Sequence, residues 1–284
     1  KLSYSNLYDN AKKIAKSLKI RASDRPITTM EPSYSYSMSI LNSHLISGAS
    51  IIVTEKSLFE KSFWELFKQK KATTFGGVPF IYSILKKLKF EKFVLPSLKY
   101  ITQAGGNLSN TLINDFIKIC KNKKIKLFIM YGQTEASPRM SFLDWKFITK
   151  KIGSIGKPLI GGKFFLYDEN NKIIYENNKE GELVYQGKNI MLGYAKNLKD
   201  LETKDKNRSR LFTGDIAKKD KDGFYYITGR KSRYIKIFGT RISLDDIENE
   251  INYLGFKCFC TGEDDQLKIY IYRNYDAQKI IKYI

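Results

Sequence analysis

The first 131 residues alternate between two patterns of apolar positions. In one pattern, apolar residues recur every three or four positions and predict the buried face of a helix; in the other, they form short β-branched runs that predict strands. Strands separated by helices of this length are typical of βαβ units and a mostly parallel sheet, which binds ligands beyond the carboxyl ends of its strands. The predicted helices cover Asn6–Leu18, Ser37–Ile46, Leu58–Lys70, Phe80–Leu88 and Leu108–Lys121, and the predicted strands lie near Ile27 and at Ile51–Val53, Thr73–Phe75, Lys99–Thr102 and Ile125–Tyr131.

The pattern changes at about residue 150 and again after Gly229-Arg230. Short alternating strands punctuated by Gly and Asn predict a small antiparallel sheet or barrel, and the pattern after it predicts the start of a small α+β domain. The predicted fold class is therefore α/β, with a mostly parallel sheet and flanking helices over 1–150, an antiparallel β subdomain over 151–230 and an incomplete α+β domain over 231–284. The strands predicted after residue 150 are Lys163–Tyr167, Glu182–Gln186, Leu211–Ile216, Gly223–Thr228, Tyr234–Ile237, Lys257–Cys260 and Leu267–Tyr272, with a helix at Leu244–Tyr253.

The composition is that of a folded protein. Of the 284 residues, 42% are hydrophobic and 14% aromatic, which is enough to bury one large core or two smaller ones. No apolar run approaches the ~20 residues needed to cross a bilayer, and the first residues do not resemble a cleavable signal peptide. We expect a cytoplasmic enzyme with no membrane span.

The net charge of +21 invites a nucleic-acid hypothesis. The lysines, however, are scattered through every segment, and no nucleic-acid-binding motif accompanies them. We therefore predict no nucleic-acid partner. Charge-driven binding is kept as an alternative, and its affinity would fall steeply with salt.

Cysteine and histidine are too few for several kinds of site. Cys120, Cys258 and Cys260 include no C-x-x-C pair, so the sequence indicates neither a disulfide framework nor a zinc site. The single histidine, His44, lies in an apolar helical stretch. It is predicted to pack in the core rather than to serve a metal cluster or a catalytic triad.

The segment from Phe128 to Glu135 carries the most informative side chains. A hydrophobic strand ends there in a glycine turn that presents the ring of Tyr131, the hydroxyl of Thr134 and the carboxylate of Glu135. A ring can lie on a base, a hydroxyl can donate to a phosphate, and a carboxylate can hold magnesium. The sequence thus predicts a nucleotide site here; a strand end with a capped short helix is the structural alternative.

Two further segments have the same character. Residues 101–108 end a strand at Gly105-Gly106, where paired glycines let the backbone approach a planar ligand, although a plain β-α turn also explains them. Residues 211–215 end in Thr-Gly-Asp, and Gly229-Arg230 follows fourteen residues after Asp215. A carboxylate can accept hydrogen bonds from both ribose hydroxyls and a guanidinium can reach the sugar or phosphate, whereas an aspartate in such a turn is often only a turn former.

Taken in order, these segments resemble the AMP-binding, adenylate-forming superfamily of acyl-CoA synthetases, nonribosomal peptide adenylation domains and luciferases. The resemblance covers nearly the whole chain, because seven motifs follow one another in the family's order. They are Gln103–Leu108, the Y-G-x-T-E motif Tyr131–Glu135, the G-S-x-G-x-P turn Gly153–Pro158, Gly181–Leu183 with Gly193-Tyr194, the T-G-D motif within Leu211–Asp215, the linker Gly229–Lys236, and Gly239–Ile242.

This resemblance implies an acid–thiol ligase that uses ATP and magnesium. In the family, a carboxylate attacks the α-phosphate of ATP and releases pyrophosphate. Rotation of the C-terminal domain then admits a thiol, which displaces AMP and forms a thioester. The implied partners are a carboxylic acid and either coenzyme A or an acyl or peptidyl carrier protein.

The resemblance also implies roles for particular residues. Tyr131 would lie against adenine, Thr134 would meet phosphate and Glu135 would coordinate magnesium. Asp215 would bind the ribose hydroxyls, assisted by Arg230. The implied nucleotide-binding residues are Ala104, Gly105, Gly106, Tyr131, Gly132 and Asp215, the catalytic ones are Thr134, Glu135 and Arg230, and the acyl-pocket ones are Tyr34, Ser35 and Tyr36.

The sequence departs from the family pattern at both ends. The phosphate-binding loop would precede Lys1 and the catalytic lysine would follow Ile284, while Lys279 and Lys282 come too early and lack the glycine context. We therefore expect a fragment of a longer protein that binds nucleotide weakly and adenylates poorly. A catalytically silent AMP-binding or scaffold module is the alternative function.

Two internal positions depart as well. Ser232 stands where the family linker usually has Asp or Lys, and a serine tolerates the turn. The family's frequent pocket histidine is replaced in Pro32–Met38, where Tyr34 or Ser35 comes nearest its place and either lines the acyl pocket or packs at a helix start. Fatty, aromatic and amino acids all remain open as the carboxylic acid.

Overall fold

The helices begin and end at local sequence signals. In the computed structural model, which describes residues 1–202, 210–237 and 240–272, the first helix starts at a capping box formed by Ser3 and Asn6. Ser109 and Ser243 cap two later helices by accepting a hydrogen bond from a backbone amide. The helices are α1 (Tyr4–Leu18), α2 (Ser35–Leu45), α3 (Lys61–Gln69), α4 (Pro79–Lys87), α5 (Asn110–Lys123), α6 (Leu198–Glu202) and α7 (Leu244–Tyr253).

The first sheet combines parallel and antiparallel strands. Its members are β1 (Thr74–Gly77), β2 (Tyr100–Gln103), β3 (Lys126–Gly132), β4 (Arg139–Leu143) and β5 (Lys157–Pro158), in that spatial order. The first three are parallel, and β4 and β5 run antiparallel to their neighbours. The segments near Ile27 and Ile52, predicted as strands, form only isolated parallel bridges beyond β1. The sequence analysis missed β4, because this short strand pairs through a tight hairpin that no local pattern shows.

Alternate residues of β3 pack on opposite faces of this sheet. Leu127 and Ile129 join an aromatic core with the helices α3, α4 and α5. Phe128 and Met130 point to the other face, toward α1 and α2. This alternation follows from the two-residue period of a strand. Because both faces are buried, β3 reads as a continuous apolar run.

The second sheet is antiparallel. Its strands are β6 (Lys163–Tyr167), β7 (Ile173–Ile174), β8 (Gly181–Gln186), β9 (Arg210–Lys219) and β10 (Tyr225–Arg230), in the spatial order β10-β9-β8-β6-β7. Phe164, Leu183 and Tyr185 are buried in its core. The strand predicted at Gly223–Thr228 begins two residues later and continues to Arg230. That extension brings Arg230 opposite Asp215 in the β9–β10 register.

The third region contains two hairpins and a helix. The strands β11 (Tyr234–Ile237) and β12 (Thr240–Ser243) form one hairpin, and β13 (Cys258–Glu263) and β14 (Gln266–Ile271) form the other. Ile235, Leu244 and Cys260 pack together between these elements and α7. Gly239, Lys279 and Lys282 lie outside the described residues.

These three parts confirm the predicted fold class. The region boundaries at 150 and 230 stay predictions, and β5 belongs to the first sheet although it lies past residue 150. His44 is buried, as predicted, with 2% of its surface exposed. No helix in the described ranges has the length and apolar character needed to cross a membrane.

Candidate active site

The predicted nucleotide segments meet at the carboxyl edge of the first sheet. Strands β2 and β3 are parallel neighbours, and Gln103 at the end of β2 pairs with Ile129 of β3. The chain leaving β2 at Ala104 therefore runs alongside the last residues of β3, and Ala104 and Gln133 line the same cavity. About thirty residues separate these two segments along the chain, and the parallel pairing of β2 and β3 brings them together in space.

Gly105 is needed for the shape of the first loop. Its φ of +79° is disfavoured for residues with a side chain, and a Cβ placed there would lie 2.4 Å from the hydroxyl oxygen of Tyr34. The ring of Tyr34 thus takes the space beside this loop. Gly106 lies against the ring of Pro79, and its carbonyl accepts a hydrogen bond from Gln103.

Gly132 is needed for the turn that follows β3. A Cβ at this position would lie 1.8 Å from the carbonyl oxygen of Pro138, so only glycine lets the β3–β4 hairpin close. The short helical turn Thr134–Ala136 inside this hairpin presents Thr134 and Glu135 outward. The glycine of the Y-G-x-T-E motif is therefore a steric requirement of the hairpin.

The Asp215 side chain accepts hydrogen bonds from two other residues of the predicted set. Its Oδ2 accepts a hydrogen bond of 2.5 Å from the Tyr131 hydroxyl, and its Oδ1 accepts one of 2.9 Å from Arg230 Nε. The Asp215 side chain is only 6% exposed, whereas that of Arg230 is 66% exposed. Burial raises the pKa of Tyr131, and the Asp215 carboxylate raises it further, so the phenol stays protonated and donates.

Thr134 and Glu135 each have one defined contact. The Thr134 hydroxyl lies 3.0 Å from the Ser35 hydroxyl at the start of α2. The Glu135 carboxylate accepts a 2.6 Å hydrogen bond from the hydroxyl of Tyr194, and this bond raises the pKa of Tyr194. Within the described residues, Glu135 forms no ion pair. Its carboxylate is therefore free of competing cations and could coordinate a hard cation such as magnesium.

The residues predicted to form the acyl pocket line one cavity with the nucleotide loops. This cavity measures about 70 Å³ and lies at the N-terminal end of α2. Tyr36 is 2% exposed, and its hydroxyl donates a hydrogen bond to the Thr102 carbonyl. Its side chain therefore forms the inner wall of the cavity. The lining residues are Tyr34, Ser35, Tyr36, Ala104, Gly105, Tyr131, Gly132, Gln133, Thr134, Pro138 and Arg139.

The structure therefore joins the three predicted loops in two ways. The cavity unites the segments around Gly105 and Tyr131, and the Tyr131–Asp215 hydrogen bond attaches the third segment from the second sheet. Gly106 and Glu135 stand beside the cavity without lining it. Two larger hollows, of about 430 Å³ beside Trp64 and about 360 Å³ beside Tyr270, contain none of the predicted residues.

One residue of this area escaped the sequence analysis, and another was given no role. Arg139 lines the cavity from the start of β4, and the available signal was an isolated arginine before the apolar residues of that strand. Tyr194 was part of the family pattern, but its contact with Glu135 depends on two loops that approach each other across 59 residues. No local pattern predicts such a contact.

The fold is of the α/β class, and comparison with known proteins gives the family of the chain. The sequence profile of the AMP-binding enzyme family matches residues 1–195. The chain belongs to this family, which confirms the resemblance carried by the seven motifs.

Individual relatives agree with this assignment. A 2-succinylbenzoate–CoA ligase from Bacillus cereus is 27% identical over 249 residues, which are 87% of this chain and 50% of the relative. The o-succinylbenzoate CoA synthetase of Bacillus subtilis, solved with its acyl-adenylate intermediate, superposes with a TM-score of 0.81 at 21% identity over 100% of this chain and 58% of that chain. The same enzyme solved with ATP and magnesium gives 0.80 at 22% identity, over 99% and 59%.

The match covers only part of each relative. The chain spans about half the length of the curated relatives it matches. At these identities, the structural likeness establishes the fold of the chain.

Proposed function

We propose that this chain carries the nucleotide-binding part of an ATP-dependent ligase that activates a carboxylic acid as its adenylate and passes the acyl group to a thiol. The observation that carries the proposal is the hydrogen-bonded group of Tyr131, Asp215 and Arg230. It brings the Y-G-x-T-E and T-G-D motifs of an AMP-binding enzyme to one place at the edge of the cavity.

In this proposal Asp215 holds the ribose. Each carboxylate oxygen accepts one protein hydrogen bond and keeps a second lone pair for a sugar hydroxyl. The Arg230 side chain is exposed and can turn toward the sugar or phosphate of the nucleotide, while the hydrogen bond from Tyr131 holds the Asp215 carboxylate in position. Tyr131 offers its ring to adenine, and the residues Ala104, Gly105, Gly106 and Gly132 bring backbone close to the base.

Thr134 and Glu135 face the phosphates in the same scheme. The Thr134 hydroxyl exchanges its contact with Ser35 for a phosphate oxygen. Magnesium, held by Glu135, water and the phosphates, would neutralise charge that develops on the phosphates. Because Glu135 has a neutral partner, Tyr194, the exchange breaks one hydrogen bond and no ion pair.

The names of the relatives support a thiol partner, and the lining of the cavity supports a site for the acid. The B. cereus and B. subtilis relatives are named as CoA ligase and CoA synthetase, which supports coenzyme A, with a carrier protein as the other thiol. Tyr34, Ser35 and Tyr36 are proposed to contact the acid, since they line the cavity beside the loops assigned to the nucleotide.

Acid-dependent exchange of pyrophosphate into ATP, measured on the full gene product, tests this function. Asp215→Ala and Glu135→Ala should each lower the exchange rate by about 10²-fold or more, because charged hydrogen bonds to the nucleotide or its metal are lost. Glu65→Ala, an exposed carboxylate on α3, is the matched control and should change nothing. Unchanged kinetics in both site variants would remove the site assignment, and AMP binding without exchange would favour the silent module.

A further inference from the structure

Asn189 is a buried residue, 0% exposed, in the segment between β8 and α6. Its Nδ2 donates hydrogen bonds to the backbone carbonyls of Ala136 and Arg139. Its Oδ1 accepts a 2.8 Å hydrogen bond from the Tyr185 hydroxyl, and its own carbonyl accepts one of 2.7 Å from the Ser137 hydroxyl. Three of these four contacts bind the β3–β4 hairpin, and the fourth binds the second sheet.

The short helical turn Thr134–Ala136 in that hairpin takes hydrogen-bond donors from the same segment. A helical turn leaves its last carbonyl groups without partners inside the turn, so donors have to come from elsewhere. The Glu135 carbonyl accepts a 2.7 Å hydrogen bond from the backbone amide of Met191, and the next carbonyl accepts from Asn189 Nδ2. Two residues of one segment therefore fix the backbone that carries the Glu135 carboxylate.

The Glu135 side chain is held less firmly than its backbone. Tyr194, which donates to the carboxylate, is 69% exposed, so water competes for this hydrogen bond. The buried contacts of Asn189 meet no such competition, and they set where the carboxylate can reach. In metal sites, the groups that orient a ligand without touching the metal are worth about 10–100-fold in metal affinity or activity.

We propose that Asn189 is a positioning residue for magnesium binding: by holding the Ala136 and Arg139 carbonyls, it fixes the hairpin that presents Glu135 to the metal. The inference rests on the proposed function, because that function assigns Glu135 to the magnesium of a bound nucleotide. Asn189 is fully buried and is not among the residues that line the cavity. Removing its amide therefore changes the support of the hairpin and not the surface that a ligand meets.

Nucleotide binding by the full gene product, measured by calorimetry with and without magnesium, tests the proposal. The probe is α,β-methylene-ATP, which cannot release pyrophosphate, so no reaction is needed for the readout. The Kd without magnesium divided by the Kd with magnesium gives the contribution of the metal. Asn189→Ala should lower this magnesium ratio by about 10-fold, the size expected when a group that orients a metal ligand is lost.

A milder pair of variants decides the question if Asn189→Ala does not fold. Tyr185→Phe removes the hydroxyl that donates to Asn189, whereas Tyr225→Phe removes a hydroxyl that donates to the Phe164 carbonyl instead. The two tyrosines are matched, because both are buried in the core of the second sheet and both rings pack against the Phe164 ring. Tyr185→Phe should lower the magnesium ratio by less than Asn189→Ala does, and Tyr225→Phe should leave it unchanged.

Three results would overturn the proposal. A lower melting temperature in Asn189→Ala with an unchanged magnesium ratio would make the residue purely structural, and so would equal ratios in Tyr185→Phe and Tyr225→Phe. An equal loss of affinity with and without magnesium would place the effect on nucleotide binding as a whole. A magnesium ratio of about one in the unmodified protein would remove the metal from this site.

The ligase assignment fails on a different observation. If the unmodified protein binds the nucleotide with a magnesium effect but shows no acid-dependent pyrophosphate exchange, the proposed function is wrong. The role of Asn189 is still decided in that case, because the magnesium ratio is measured on binding alone. If exchange occurs and the ratio does not respond to Asn189→Ala, the function stands and the positioning role is lost.

Discussion

The two faces of the first sheet are packed by different kinds of side chain. On the face of α3, α4 and α5 the core is aromatic, with Phe63, Phe67, Phe75, Phe90 and Phe116 all at most 1% exposed. On the face of α1 and α2 many buried groups are polar, among them Asn10, Ser39, Ser43, His44 and Arg139. The candidate active site lies on the second face.

This difference separates stability from function within one sheet. Burying a phenylalanine stabilises the fold by about 1.5–3 kcal/mol, and the aromatic face needs no polar partner to do so. A buried polar group contributes little net stability and costs energy when it is left unpaired. On the α1–α2 face, a ligand can therefore provide hydrogen bonds to buried polar groups. The following predictions test the difference between this polar face and the aromatic face.

The largest expected effect is on the aromatic face. Phe116 is fully buried and packs against Tyr82 and Phe90. Phe116→Ala should lower the free energy of unfolding by about 3–5 kcal/mol, because it leaves a cavity. Phe147→Ala, at a ring that is 45% exposed, is the control and should cost about 1 kcal/mol or less. Denaturant titration measures both, and equal small losses would mean that this face does not dominate stability.

A slightly smaller effect is expected from acid on the polar face. The pKa of His44 is lowered from 6.5 to about 4, chiefly by burial and in smaller part by the charge of Arg139, against the opposing effects of the Ile40 hydrogen bond and of Asp24. The Ile40 carbonyl can only accept, so His44 Nδ1 donates to it and Nε2 accepts from Tyr100. The ring is thus held neutral in the folded state.

The sign of the pH dependence follows from that neutrality. Between pH 6.5 and about 4 the unfolded chain binds a proton at His44 that the folded protein does not, so His44 contributes fully above pH 6.5 and stability falls as the pH drops. The loss should reach roughly 3 kcal/mol near pH 4. Comparing unfolding curves of the unmodified protein and His44→Gln isolates this term, since the remaining carboxylates are shared. Parallel pH profiles would show that His44 is not held neutral.

The smallest expected effect is again on the aromatic side, at its surface. Lys86 of α4 pairs with Asp115 of α5 at 2.9 Å, and the two side chains are 46% and 31% exposed. A double-mutant cycle with Lys86→Met and Asp115→Asn should give a coupling of about 0.2–1 kcal/mol that shrinks with added salt. A coupling well above that range would mean that the outer ion pair, and not the aromatic interior, holds these two helices together.

Much of the architecture followed from periodicity in the sequence. Alternating apolar segments predicted the α/β fold, and the β-branched and aromatic run of β3 marked its central strand. The regions at 51–53 and near Ile27 were harder, because their apolar residues satisfy a strand pattern while the backbone makes only single bridges. The strand β4 was missed because its pairing depends on a hairpin whose closure requires Gly132.

For the site, the sequence by itself determined which chemical groups are present: a tyrosine, a threonine and a glutamate around the end of one strand, and an aspartate and an arginine in two others, in the order of the AMP-binding enzymes. Only the tertiary structure decided which of these groups touch. The hydrogen bonds that Asp215 accepts from Tyr131 and Arg230, and the place of Arg139 in the wall of the cavity, depend on strand register and on contacts between distant segments. Local spacing carries no information about such contacts, because they are set by how the sheets and helices pack.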